Sequence, residues 1–133
     1  RIKDMGGHNH LFAFYPEQGS LMEDWPAVDS GQWRRVQLGR FIIDYLEGRF
    51  EAMQFDELGR VVDFGLPTHR LQAVITSGKA FRTSGCPGSE DTEISACNRP
   101  YGDSKPSAIL SFPFVLTAKD VALVETQLPI DSP

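Results

Sequence analysis

The sequence predicts an α/β fold, and three observations carry that prediction. A short apolar, aromatic-rich run at residues 11–15 (LFAFY) reads as a buried strand, an amphipathic stripe follows over residues 38–46, and a second helix-then-strand pair occupies residues 69–82. Strand, helix, strand, helix, strand is the alternation of that class. With 133 residues, 41% of them hydrophobic, the chain is one domain or a piece of one, large enough to bury a core without disulfide staples.

Each element has a local reason. The first strand empties into a loop marked by Pro16, Gln18 and Gly19. An acidic, irregular stretch then ends at Ser30, a plausible helix N-cap, and Leu38, Phe41, Ile42, Tyr45 and Leu46 recur at the spacing of one helix face before Gly48 stops the helix. Residues 52–64 alternate apolar and polar on both sides of Glu57-Leu58-Gly59-Arg60, the pattern of a hairpin or of one strand and a turn. Residues 69–77 form a short helix with Leu71, Val74 and Ile75 on one side and Gly78 at its end, followed by a brief strand at 80–82. Residues 83–113 show no periodicity and are dense in Gly, Pro, Ser and Asp, which makes them a long loop of the kind that is functional or disordered. Thr117 and Asp120 then form a capping box opening a last helix with Val121, Val124 and Leu128 on one face.

Composition excludes several classes. A formal net charge of −5 leaves no surplus of Lys and Arg to displace counterions, so nucleic acid is not an expected partner. No apolar run approaches the roughly 18–20 residues that cross a bilayer, and residues 1–7 lack the apolar stretch of a signal peptide; no membrane association and a cytoplasmic location are expected. The first residue is Arg1 rather than Met, as in a processed or truncated product. There is no Gly-rich phosphate loop and no G-x-S-x-G elbow.

The chemistry-bearing residues gather in the long loop, around T-S-G-C-P-G (83–88) and C-N-R-P-Y-G (97–102). Thiols are usually buried, so Cys86 and Cys97 in one Gly/Pro-rich loop need a reason: metal ligation, a disulfide or redox pair, or no special role. Two Cys and three scattered His fall short of the four ligands that zinc or a cluster ordinarily takes, so further ligands come from elsewhere, with Ser84, Asn98 and Arg99 near in sequence. His8 and His10 flank Asn9 and read as hydrogen-bonding residues, and His69 as a helix-start residue. Tyr15, Glu17 and Gln18 follow a predicted strand, where parallel α/β folds build their ligand crevice. Arg34, Arg35, Arg40 and Arg49, with Asp44 and Glu47, read as a solvated helix face. Phe112-Pro113-Phe114 reads as a clasp at the loop's end.

Residues 10–20, the helix through Leu46, residues 71–82 and above all the T-S-G-C-P-G … C-N-R-P-Y-G loop resemble the C-terminal part of radical S-adenosylmethionine enzymes of the biotin synthase and lipoyl synthase type. That resemblance implies the C-terminal portion of a partial TIM-type (β/α) barrel: the last strand–helix units over residues 1–83, then a cluster-binding loop and terminal helix over residues 84–133. It implies a sulfur-inserting enzyme in which Cys86 and Cys97 are metal ligands of an auxiliary [4Fe–4S] cluster. Asn98 and Arg99 orient the cluster or substrate, while Tyr15, Glu17 and Gln18 line the cavity, and S-adenosylmethionine serves the full-length enzyme. The implied partners are a small-molecule or acyl-carrier substrate and the N-terminal half of the barrel or a partner subunit.

Two departures qualify what this chain does by itself. The C-x-x-x-C-x-x-C motif that holds the S-adenosylmethionine-binding cluster is absent, so the chain alone is expected to be inactive. Ten residues separate the two cysteines, where a closer pair is expected of many relatives. The alternative from another class is a small non-catalytic metal-binding or protein-interaction module using the Cys86/Cys97 loop.

Overall fold

The computed structural model describes residues 2–7, 9–83 and 109–128. A 16-residue helix, α1 (Ser30–Tyr45), is the spine. It starts because the Asp29 carboxylate accepts the Gln32 backbone N–H at 2.9 Å, so the cap is Asp29 rather than Ser30, which becomes the first helical residue. It ends where Glu47 takes a left-handed φ of 57° and the Gly48 N–H bonds the Ile42 carbonyl at 3.0 Å. Gly48 is needed for close approach, since a Cβ there would collide with the Ile42 side chain.

Residues 52–64 form the hairpin. Strands β1 (Gln54–Phe55) and β2 (Val61–Asp63) pair antiparallel, Gln54 opposite Asp63 and Phe55 opposite Val61. The Asp56 carboxylate closes the turn by accepting the backbone N–H groups of Leu58 and Arg60, and Gly59 supplies the positive φ. Buried Met53 and Phe64 flank the hairpin and tie it to the core.

Helix α2 (Thr68–Ser77) buries Leu71 and Ile75 and stops at Gly78, whose φ is 69°. A 3-10 turn, Lys79–Phe81, buries Ala80 and Phe81. The expected strand at 80–82 is thereby reduced to one residue, Arg82, which bridges Phe112 in parallel sense. The last helix, α3 (Ala118–Gln127), has both halves of the capping box: the Thr117 hydroxyl accepts the Asp120 N–H, and the Asp120 carboxylate accepts the Thr117 N–H. Leu38 and Ile42 of α1, Leu71 and Ile75 of α2, Val124 of α3, Leu128 and the aromatics Phe64, Phe81 and Phe112 form one core.

Two expectations are corrected. Residues 11–15 are not a buried strand: they carry no regular structure, and Phe12 and Tyr15 are 59% and 71% exposed. A strand needs a laddered neighbour, and among the described residues no strand pairs with this run. Nor is α1's charged side all solvated, because Arg34 is fully buried. The described residues form helices around a two-stranded sheet rather than a closed barrel. Among them no helix is long and apolar enough to cross a membrane.

Candidate functional site at the base of the cysteine loop

The two ends of the cysteine loop meet. The Phe112 N–H donates to the Phe81 carbonyl at 3.0 Å and the Thr83 N–H to the Phe112 carbonyl at 2.9 Å, the two bonds of a parallel bridge. The segment carrying Cys86 and Cys97 therefore leaves and rejoins the described part of the fold at adjoining points. Residues 84–108, with Ser84, Cys86, Cys97, Asn98 and Arg99 among them, lie outside the described residues, as does His8.

Helix α1 supplies the clamp. Trp33 Nε1 donates to the Leu110 carbonyl at 2.9 Å, Gln37 Nε2 to the same carbonyl at 3.3 Å and to the Ser111 hydroxyl at 3.0 Å, and Arg34 Nη1 makes a short bond to that carbonyl. Trp33 and Arg34 lie one turn before Gln37, at i+4 and i+3 spacing, on the side of α1 turned toward the loop base. Arg34 Nε reaches Gln127 Oε1 at 2.9 Å and Nη1 reaches Gln37 Oε1 at 2.8 Å, which draws α3 into the same network. The guanidinium carbon stands 5.3 Å from the Phe112 ring centroid and 5.8 Å from that of Phe81, within cation–π range of both.

The electrostatics are unusual. Arg34 is 0% exposed and its hydrogen-bond acceptors are two neutral amides and a carbonyl, none of them a carboxylate. Loss of solvation lowers its pKa to about 10, so the group keeps its charge at neutral pH while paying for burial. Among the described residues, Arg34 Nη2 and the Thr83 hydroxyl are buried without a hydrogen-bond partner.

The other residues singled out from sequence lie elsewhere. Tyr15, Glu17 and Gln18 are exposed, and the chain there closes on itself through Ser20 N–H to the Glu17 carbonyl and Gly19 N–H to the Glu23 carboxylate. Among the described residues none of the three hydrogen-bonds to the loop base. His10 and His69 are exposed. No group of three or more His, Cys, Asp or Glu among the described residues is placed to hold a metal ion. Sequence reasoning missed Trp33, Arg34, Gln37 and Gln127. The available signal was Arg34 itself, four residues before Leu38 and therefore a charge on the apolar stripe.

Comparison with protein-family models, with curated proteins and with solved structures found no match to the chain.

Proposed function

We propose that the chain is the C-terminal portion of a cytoplasmic radical S-adenosylmethionine enzyme that inserts sulfur, contributing the loop that holds an auxiliary iron–sulfur cluster. The single observation that carries the proposal is the built base of the cysteine loop: a parallel bridge at Arg82 and Phe112, clamped onto α1 through the Leu110 carbonyl. A loop serving only as a connection has no need of a buried arginine, a tryptophan and a glutamine at one carbonyl.

In this proposal Cys86 and Cys97 supply thiolates to the cluster, and Asn98 and Arg99 orient it or the substrate. The donor chemistry fits a cluster shared with other ligands, because two thiolates are half of the usual set. When bound, the cluster provides the sulfur to be inserted. The chain's own residues hold the loop ends at fixed points, and the buried aromatics Phe81 and Phe112 exclude water beneath them. Tyr15, Glu17 and Gln18, exposed here, line the cavity once the N-terminal half of the barrel or a partner subunit supplies its other wall. The substrate is a small molecule or an acyl group on a carrier.

The test is iron and acid-labile sulfide per chain in the anaerobically purified intact gene product, beside its Cys86→Ala/Cys97→Ala variant. Two clusters in the parent and one in the variant is the expected result. Equal iron in both removes the auxiliary cluster and with it the sulfur-insertion chemistry. Zinc in place of iron points to the non-catalytic module.

A further inference from the structure

We infer that Arg34 is the positioning residue of the cysteine loop: a buried cationic latch that fixes where the loop rejoins the fold, and that packing alone does not require. The latch itself stands on described residues, and its consequence for a bound cluster rests on the function proposed above.

Three observations carry the inference. The Leu110 carbonyl, at the loop's return, takes donors from Trp33, Arg34 and Gln37, and Arg34 is the only charged one. Charged donors form markedly stronger bonds than neutral ones, so the arginine sets the position of this carbonyl while its neighbours adjust around it. Next, the guanidinium lies against the rings of both Phe81 and Phe112, aromatic surroundings that an apolar side chain of similar length could also fill. An arginine without a carboxylate partner at that place costs stability, and what it gains is direction: its planar fork ties Leu110, Gln37 and Gln127 into one geometry. Finally, among the described residues buried Nη2 finds no hydrogen-bond partner and the acceptors of the guanidinium are all neutral, so the network it organises does not neutralise the charge. Arg34 therefore holds loop, α1 and α3 together through a group whose removal leaves the hydrophobic contacts largely in place.

The experiment compares the full chain with its Arg34→Met and Arg34→Lys variants. Methionine keeps the packing and removes charge and donors; lysine restores the charge with a single head group. The first readout is amide hydrogen exchange at Thr83 and Phe112, whose N–H groups form the bridge, against Ile42 and Ile75 in the helical core. In Arg34→Met, Thr83 and Phe112 exchange about tenfold faster, the factor equivalent to one charge-assisted hydrogen bond, while Ile42 and Ile75 do not change; Arg34→Lys recovers most of the protection. Equal acceleration at all four amides makes Arg34 a general stabiliser and overturns the inference, as does no acceleration anywhere.

The second readout uses the intact, iron-loaded gene product. The visible circular dichroism of the iron that depends on Cys86 and Cys97 changes in Arg34→Met and returns in Arg34→Lys. An unchanged signature in Arg34→Met overturns the positioning role. If no iron depends on those cysteines, the proposed function fails, and the exchange readout alone decides the latch.

Discussion

The Thr83 N–H donates to the Phe112 carbonyl at 2.9 Å across 28 intervening residues, and Phe112 answers through its own N–H to the Phe81 carbonyl at 3.0 Å. One residue thus bonds both Phe81 and Thr83, and its side chain, 5% exposed, lies within cation–π reach of Arg34. The backbone of Phe112 closes the loop and its ring seals the core.

Phe112→Ala should therefore be expensive. Removing a buried phenylalanine costs about 3–5 kcal/mol, and here the Arg34 guanidinium also loses one aromatic face. Phe114→Ala is the control: its ring touches Phe112 edge-on at 5.8 Å but is 41% exposed, so its loss costs much less. Urea unfolding of both variants measures the difference, and equal losses would show that burial of Phe112 is not what closes the core.

Gly78 gives a second prediction from backbone geometry. Its φ is 69°, and a Cβ there would stand 2.9 Å from the Leu116 Cβ, so alanine meets both strain and a clash at the junction of α2 and the chain that leads into α3. Gly78→Ala destabilises by more than about 1 kcal/mol. Gly59→Ala separates the two causes: it carries the same kind of strain, at φ 74°, with nothing within 4 Å of its Cβ. It should lose less in thermal unfolding, and a loss as large as that of Gly78→Ala would assign the whole effect to strain.

How far the sequence announced the structure varies from element to element. The hairpin, α2 with its Gly78 ending and the Thr117–Asp120 capping box were legible, because each rests on contacts between residues close in sequence, the widest being Gln54 with Asp63. Residues 11–15 misled, since a short apolar, aromatic-rich run marks a segment able to join a sheet without naming the partner that completes it. The clamp was illegible for the same reason: Arg34 and Leu110 are 76 positions apart, and a mixed-charge helix reads as solvated until the chain that covers it is known. The roles assigned to Cys86, Cys97, Asn98 and Arg99 remain proposals from sequence, while the base on which their loop stands came from the structure.

Arg34 also leaves a trace in the alkaline stability profile. Its pKa in the folded chain is lowered from the ordinary guanidinium value to about 10 by loss of solvation. The unfolded state accordingly binds more protons than the folded one between those values, and the contribution of this group to stability rises with pH across that window. Below it the charged guanidinium is a constant burden on the fold. Wild type should gain on Arg34→Met between about pH 9 and about pH 11 in denaturant titrations. A constant difference would show that Arg34 stays equally solvated in both states.

The acid side of the profile belongs to the α3 cap. The Asp120 carboxyl is held below its ordinary value by the Thr117 hydroxyl first and the Thr117 backbone N–H second, with bonds of 2.6 and 2.8 Å. A carboxyl with a depressed folded-state pKa contributes stability that is complete above its unfolded value and is lost as pH falls through the folded one. Thr117→Ala removes the hydroxyl that accepts the Asp120 N–H and donates to the Asp120 carboxylate, leaves the backbone N–H half of the box in place, and costs about 1 kcal/mol at neutral pH. Because the variant no longer draws on the Asp120 charge in the same way, acid takes less from it than from wild type. The gap between the two should narrow between about pH 5 and about pH 2. Thr117→Ser keeps a hydroxyl and should follow wild type across the range; if it follows Thr117→Ala instead, the methyl group rather than the capping bond carries the effect.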